Sequence, residues 1–130
     1  MLRTLAIHDF VIVDAIEIDL SAGFSVFTGE TGAGKSILID ALTLALGGRA
    51  DASVVREGAA RADITAEFAG PFDAALGEWL DQNALAGEEG ELLMRRVIDN
   101  GGRSKAFING ITATVTQLRE LGELLVDIHG

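Results

Sequence analysis

The strongest constraint on the fold is a glycine-rich octapeptide that joins a short apolar segment typical of a strand to a longer apolar segment typical of a helix. The octapeptide is Gly29-Glu30-Thr31-Gly32-Ala33-Gly34-Lys35-Ser36. It follows a short apolar run, Phe24 to Thr28, that predicts a strand. It leads into Lys35 to Leu46, whose apolar residues predict a helix buried on more than one side. A strand that passes through a glycine-rich loop directly into a helix predicts an α/β fold in which this helix packs on a sheet.

The octapeptide also satisfies the Walker A pattern G-x-x-x-x-G-K-[S/T] at every fixed position. Its glycines let successive backbone N–H groups face one anion, and the helix that begins here directs its positive dipole end to the same point. Lys35 is then expected to contact the β- and γ-phosphates, and the Ser36 hydroxyl to bind magnesium. The alternative is an ordinary glycine-rich turn with an exposed lysine, which the flanking strand and helix disfavour. We therefore expect Gly29 to Ser36 to hold a nucleoside triphosphate with Mg²⁺.

Composition limits the classes of protein to which the chain can belong. The 130 residues suffice for one domain with a core, and 48% of them are apolar. The absence of cysteine excludes disulfides and fits a reducing cytoplasm. No segment reads as a signal peptide or a membrane span, since the best candidate, Ile37 to Leu46, is short and contains Asp40. The net charge of −10 opposes nucleic acid on average, so DNA contact would need a local basic patch or parts of a longer protein.

Periodicity and turn residues outline the remaining elements. Asp73 suits the N-cap of one helix and Thr116 that of another, while Asn109-Gly110 between apolar runs predicts a hairpin turn. Val126 to Gly130 reads as the start of another strand or loop, and Gly47-Gly48 is expected to end the helix after the octapeptide. Predicted strands cover residues 2–8, 12–20, 62–69, 91–99, 104–108 and 111–114, and predicted helices cover 35–46, 73–83 and a stretch from 116.

Several segments carry a family resemblance across essentially the whole chain. Besides the octapeptide they are Leu46-Gly47-Gly48-Arg49-Ala50-Asp51, Ser104-Lys105-Ala106-Phe107-Ile108-Asn109-Gly110 and Leu125-Val126-Asp127-Ile128-His129-Gly130. With these segments the chain resembles the N-terminal part of the RecN family, bacterial DNA-repair ATPases related to the structural-maintenance-of-chromosomes (SMC) proteins and to the ABC-type ATPases. The resemblance implies a P-loop NTPase fold in which residues 1–130 form the N-terminal lobe of an ATPase head, with a mixed sheet and antiparallel strands.

The resemblance also implies a function. It implies ATP and Mg²⁺ as cofactors, a cytoplasmic and nucleoid-associated protein, and ATP-driven dimerisation of two heads in DNA double-strand-break repair and recombination. The implied partners are the protein's own C-terminal head lobe, a second head and DNA, with no membrane. In this family the coiled coil follows the N-terminal lobe, and the ABC signature, Walker B aspartate and catalytic glutamate lie in the C-terminal part. We therefore expect no catalytic residue within residues 1–130 and no turnover by these residues alone.

Other interpretations remain open from the sequence. Leu124-Leu125-Val126-Asp127 has the shape of a Walker B strand, in which Asp127 would hold magnesium in a small, complete NTPase or kinase. Against this, Ile128 stands where ABC-type enzymes place a glutamate. A module that binds nucleotide or a protein partner without turnover is the second alternative.

The remaining candidate residues carry weaker signals. Arg49 follows the octapeptide helix, where related ATPases can carry an arginine that reaches nucleotide phosphates; a solvated arginine near a helix end is the plainer interpretation. His8 and His129 have no second ligand at metal spacing. A basic cluster around the predicted hairpin could face DNA, although solvated strand edges explain it more simply. That cluster contains Arg95, Arg96, Arg103 and Lys105, followed later by Arg119.

Overall fold

The computed structural model describes residues 1–20 and 32–129, with side chains for residues 1–20 and 36–125. The strand predicted from Phe24 to Thr28 lies outside the described residues. The described strands are β1 (Leu2–Phe10), β2 (Val13–Asp19), β3 (Arg61–Ala69), β4 (Glu91–Asp99), β5 (Ser104–Ile108) and β6 (Ile111–Ala113). The helices are α1 (Gly32–Ala45), α2 (Ala74–Gln82) and α3 (Val115–His129), and a 3-10 turn covers Ala52–Val54.

The strands form one six-stranded sheet in the order β2-β1-β3-β4-β5-β6. Every pair of strands among the described residues is antiparallel. Alternate residues along the four central strands are buried, which gives the sheet a covered inner face and a more exposed outer face. The buried residues on the inner face include Leu5, Ile7, Ala62, Ile64, Ala66, Phe68, Leu92, Met94, Ile98, Ala106 and Ile108.

All three helices contribute to one hydrophobic core on the inner face. Helix α1 packs on β1, β3 and β4, whereas α3 packs on β5 and α2. The core residues of the helices are Ala41, Leu44 and Ala45 from α1, Leu76 and Leu80 from α2, and Leu118, Leu121 and Leu125 from α3. None of the helices in the described part of the chain is long and apolar enough to span a membrane.

Most local predictions are confirmed. Strands β4 and β5 have the predicted bounds. The Asp73 side chain caps α2 by accepting from the backbone N–H of Ala75 at 2.8 Å. Asn109 and Gly110 connect β5 to β6 with φ values of 53° and 78°, which suit the two-residue turn predicted from this pair. These elements follow from short-range signals, so the surrounding tertiary structure had little opportunity to override them.

The predictions for the last helix were partly wrong. Its cap is Thr114 rather than Thr116, because the Thr114 hydroxyl accepts from the backbone N–H of Gln117 at 3.0 Å while the Gln117 side chain accepts from the Thr114 N–H at 2.9 Å. This reciprocal pair is a capping box, which the Thr-x-x-Gln spacing encodes. The helix also continues to His129, so residues after Val126 do not begin a strand or loop there.

The expectation that α1 is buried on more than one side was also wrong. Ala41 and Ala45 lie against the sheet with no exposed surface, but the side chain of Ile39 is 64% exposed. In the described part of the chain, the sheet covers one side of α1 and α3 approaches its C-terminal end, whereas the side that carries Ile39 is open. The apolar composition of the helix therefore exceeds what its contacts here require.

Candidate nucleotide-binding site

The Walker A octapeptide contains the beginning of α1. The helix starts at Gly32, so the last half of the octapeptide forms its first turn. The backbone N–H groups of a first helical turn have no partner within the helix, and they carry the positive end of its dipole. Ser36 lies at the end of this turn with its side chain exposed. Gly29, Glu30 and Thr31 lie outside the described residues.

The middle of α1 holds this turn in place on the sheet. Ala41 and Ala45 are fully buried against the inner face, and Leu44 is nearly so. The small side chains of the two alanines let the helix backbone come close to β3 and β4, which α1 contacts. Because the helix is rigid and its buried side is fixed, the direction of its N-terminus is fixed as well.

Two glycines end α1 in a Schellman motif. The Gly47 N–H donates to Leu44 O at 3.1 Å and the Gly48 N–H donates to Thr43 O at 3.0 Å. Gly47 has a φ of 94°, a conformation that side-chain-bearing residues rarely adopt. The role predicted for this glycine pair is confirmed, and the motif satisfies two of the carbonyls that a helix end leaves free.

A buried arginine provides a second anchor for the same helix end. Arg96 on β4 is only 3% exposed, and its guanidinium donates to Leu44 O at 3.0 Å, to Gly48 O, and to Ser104 Oγ at 3.2 Å. Burial lowers the pKa of this guanidinium, and the nearby charge of Arg119 lowers it further. Its positive charge lies at the negative end of the α1 dipole, which favours the arrangement.

Both sequence interpretations of Arg96, as a solvated residue of a strand edge and as part of a DNA-facing patch, were therefore wrong. A signal that could have corrected it is the alternation along β4, where Leu92, Met94, Arg96 and Ile98 share one parity. That parity places Arg96 in the buried register of the strand. An arginine at such a position needs hydrogen-bond acceptors inside the protein, and the end of α1 supplies them.

The other members of the basic cluster separate as well. Arg95, Arg103 and Lys105 line the outer face of the sheet together with Arg61, a residue that the sequence analysis had not included. Arg119 lies on α3, on the side of the sheet that the helices cover, and its backbone lies close to Gly47. The cluster thus divides between two sides of the sheet, because neighbouring residues of a strand point to opposite faces.

The remaining candidate residues from the sequence lie at the following positions. Arg49 is exposed and directly follows Gly48. Its role in contacting the phosphates stays a prediction. His8 is exposed near the end of β1. Asp127 lies within α3, so the Walker B interpretation was wrong, since that motif requires a strand. Trp79 is half-buried and donates from Nε1 to Glu120 at 3.3 Å.

Comparison with known proteins supports the fold. The AAA domain family model matches residues 4–123. The chain is 48% identical to the DNA repair protein RecN of Vibrio cholerae over 130 residues, and 41% identical to that of Bacillus subtilis over 131 residues. Each match covers 100% of this chain and 23% of the relative, so the chain spans about a quarter of the length of these curated relatives.

A solved structure shows the same fold at lower sequence identity. It comes from work on ATP-driven dimerisation and DNA-stimulated activation of SMC ATPases, and it aligns with a TM-score of 0.69 at 23% identity, covering 96% of this chain and 77% of that chain. These matches do not favour a self-contained small kinase. The chain belongs to the AAA domain family of P-loop ATPases, and over its whole length it corresponds to the N-terminal part of the RecN DNA repair proteins.

Proposed function

We propose that these residues form the ATP-binding lobe of a DNA-repair ATPase head. The observation that carries the proposal is the start of α1 at Gly32, inside a complete Walker A octapeptide. The free N–H groups of this turn suit an anion, and the exposed Ser36 hydroxyl is a hard oxygen ligand of the kind that Mg²⁺ accepts. The donor set therefore fits the phosphates of ATP with magnesium.

The roles within the site follow from the octapeptide. Gly29 to Gly34 would supply backbone N–H groups to the phosphates, Lys35 would neutralise charge on the β- and γ-phosphates, and Ser36 would bind the metal. Arg49 would add a charge near the phosphates from the segment after α1. ATP would supply the phosphoryl group that is hydrolysed and Mg²⁺ would neutralise its charge, while catalytic groups would come from outside these residues.

The proposed assembly follows from the family. The relatives are DNA repair proteins, and one structural neighbour belongs to ATPases that dimerise with ATP. By this relationship, the complete protein would join this lobe to its C-terminal lobe and pair with a second head around ATP during double-strand-break repair. The exposed side of α1 around Ile39 is a surface on which such a lobe would pack.

Replacement of Lys35 tests the site. In the complete protein that contains these residues, we expect Lys35→Ala to weaken the binding of fluorescent ATP with Mg²⁺ at least about tenfold, because the β- and γ-phosphates lose the lysine charge that neutralises them. Arg3→Ala is the matched control, since Arg3 is an exposed cation at the edge of β1. Equal ATP affinity of the folded Lys35→Ala protein and the wild type would contradict the proposed role.

A further inference from the structure

The outer face of the sheet carries a basic depression at the end of β3, β4 and β5. Its cations come from three neighbouring strands and the turn between two of them, and Val97 and Phe107 form its apolar floor. We define the outer-face basic patch by the residues that line it, namely Arg61, Arg95, Arg103 and Lys105 around Val97 and Phe107. The patch holds four of the ten basic residues of a chain whose net charge is −10.

One of the four cations is engaged within the protein. Arg95 donates from Nε to Asp63 Oδ1 at 3.0 Å and from Nη2 to Oδ2 at 2.6 Å, a bidentate pair. Its guanidinium also lies 5.2 Å from the ring centre of Phe107. These contacts hold Arg95 flat over the floor of the patch, so it contributes a fixed positive edge rather than a mobile charge.

The other three cations are available to a partner. Arg61, Arg103 and Lys105 are exposed, and none of them forms an ion pair with any residue that the structure describes. Two carboxylates lie near the patch. Asp63 is bound by Arg95, and Asp99, which also lines the depression, accepts from the backbone N–H groups of Arg103 and Gly101, both at 2.9 Å. These bonds, the one from Arg103 above all, lower the pKa of Asp99 and hold its carboxylate at the turn.

The spacing of the free cations suits a chain of closely spaced anions. Arg103 and Lys105 are two residues apart, which separates their Cα atoms by roughly 7 Å in an extended chain. Arg61 is paired with Asp99 across the strands, so it lies on the other side of the same depression. Duplex DNA presents a phosphate about every 1.7 Å along its axis, so several phosphates fall within this span.

We propose that the outer-face basic patch is a contact surface for the phosphate backbone of DNA. Its position opposite the helices separates it from α1, which fills part of the inner face. The charge of the remaining surface repels DNA and therefore confines contact to this patch. The choice of DNA as the partner rests on the proposed function in repair, whereas the location rests on the exposed cations alone.

The test measures DNA binding by the complete protein without nucleotide. The probe is a fluorescent DNA duplex of mixed sequence, titrated between about 50 and 200 mM salt. The variant is Arg103→Glu with Lys105→Glu. The matched control is Arg3→Glu with Arg119→Glu, which changes the net charge equally at two exposed arginines outside the patch. Arg103→Gln with Lys105→Gln is the milder variant if the first does not fold.

We expect the patch variant to bind at least about tenfold more weakly at low salt, and the plot of log affinity against log salt to become shallower by about 2. The control should stay within about twofold of the wild type, because it alters only the average charge. An equal loss in the control and the patch variant, or no loss in either, would overturn the proposal. A separate ATP titration of the same variants distinguishes this result from failure of the nucleotide site.

Discussion

At the scale of single residues, Arg96 is the least expected feature of the molecule. A guanidinium that is 3% exposed costs free energy unless its donors are satisfied, and Leu44 O, Gly48 O and Ser104 Oγ satisfy most of them. Among described atoms, Nε alone is buried without a partner. The two backbone acceptors belong to the end of α1, so Arg96 links the centre of the sheet to the helix that begins in the octapeptide.

Removing this guanidinium should therefore destabilise the fold. We expect Arg96→Met to lower the free energy of unfolding by about 2 kcal/mol, because Gly48 O loses its arginine donor in a partly buried place and the buried Leu44 O keeps only the Gly47 N–H. Arg96→Lys should recover part of the loss. Urea denaturation measures the change, with Arg61→Met as an exposed control expected to stay within about 0.5 kcal/mol. An Arg96→Met protein as stable as this control would show that the contacts contribute nothing net.

At the scale of elements, the approach of α3 to the end of α1 depends on the absence of side chains. A Cβ atom added to Gly122 in α3 would lie 2.8 Å from Leu46 O, a distance that such contacts do not reach. A Cβ added to Gly77 in α2 would have no neighbour within 4 Å. Gly77 and Gly122 therefore differ, because packing requires a glycine only at position 122.

Alanine at these two positions should shift stability in opposite directions. We expect Gly77→Ala to raise the free energy of unfolding by about 0.5–1 kcal/mol, because alanine favours the helix and nothing obstructs its methyl group. Gly122→Ala should lower it by about 1–3 kcal/mol, because a backbone oxygen cannot move aside without separating the helices. Thermal and urea unfolding of both variants measure the difference. Stabilisation by both would show that α3 can shift at no cost.

At the scale of the whole molecule, the helices of the described part of the chain lie on one face of the sheet, and no described element covers the side of α1 that carries Ile39. Ile39 is 64% exposed there, with half-buried Leu38 and Leu42 beside it. A single exposed isoleucine is ordinary on a protein surface. The chain, however, spans about a quarter of the length of the curated relatives it matches, and the proposed C-terminal lobe would cover this side.

Ile39→Gln distinguishes an open side from a covered one. In residues 1–130 alone, we expect the free energy of unfolding to change by less than about 0.5 kcal/mol, since the side chain is already in water. In the complete protein, we expect a loss of about 1 kcal/mol or more, because an apolar contact would be replaced by a buried amide. The same urea titration on both proteins measures this. No change in either would mean that this side of α1 faces solvent throughout.

The sequence by itself determined the local features of this protein. The Asp73 cap, the Asn109-Gly110 turn and the period-two strands depend on neighbouring residues, so the short-range pattern specified them. The prediction of Thr116 as the cap of α3 was wrong at the same scale, because the reciprocal hydrogen bonds between Thr114 and Gln117 make Thr114 the cap. The candidate phosphate site stays a prediction, and it rests on one continuous segment of the sequence.

Only the tertiary structure decided how distant segments meet. The order β2-β1-β3-β4-β5-β6 brings Arg61 beside the hairpin, and packing of α1 on the sheet turns Arg96 into its anchor. The five basic residues lie in three places. Arg95, Arg103 and Lys105 line the outer face of the sheet, Arg96 is a buried anchor, and Arg119 lies on α3. The physical reason is that burial and hydrogen bonding depend on what lies across the sheet, and residues that are adjacent along a strand point to opposite faces.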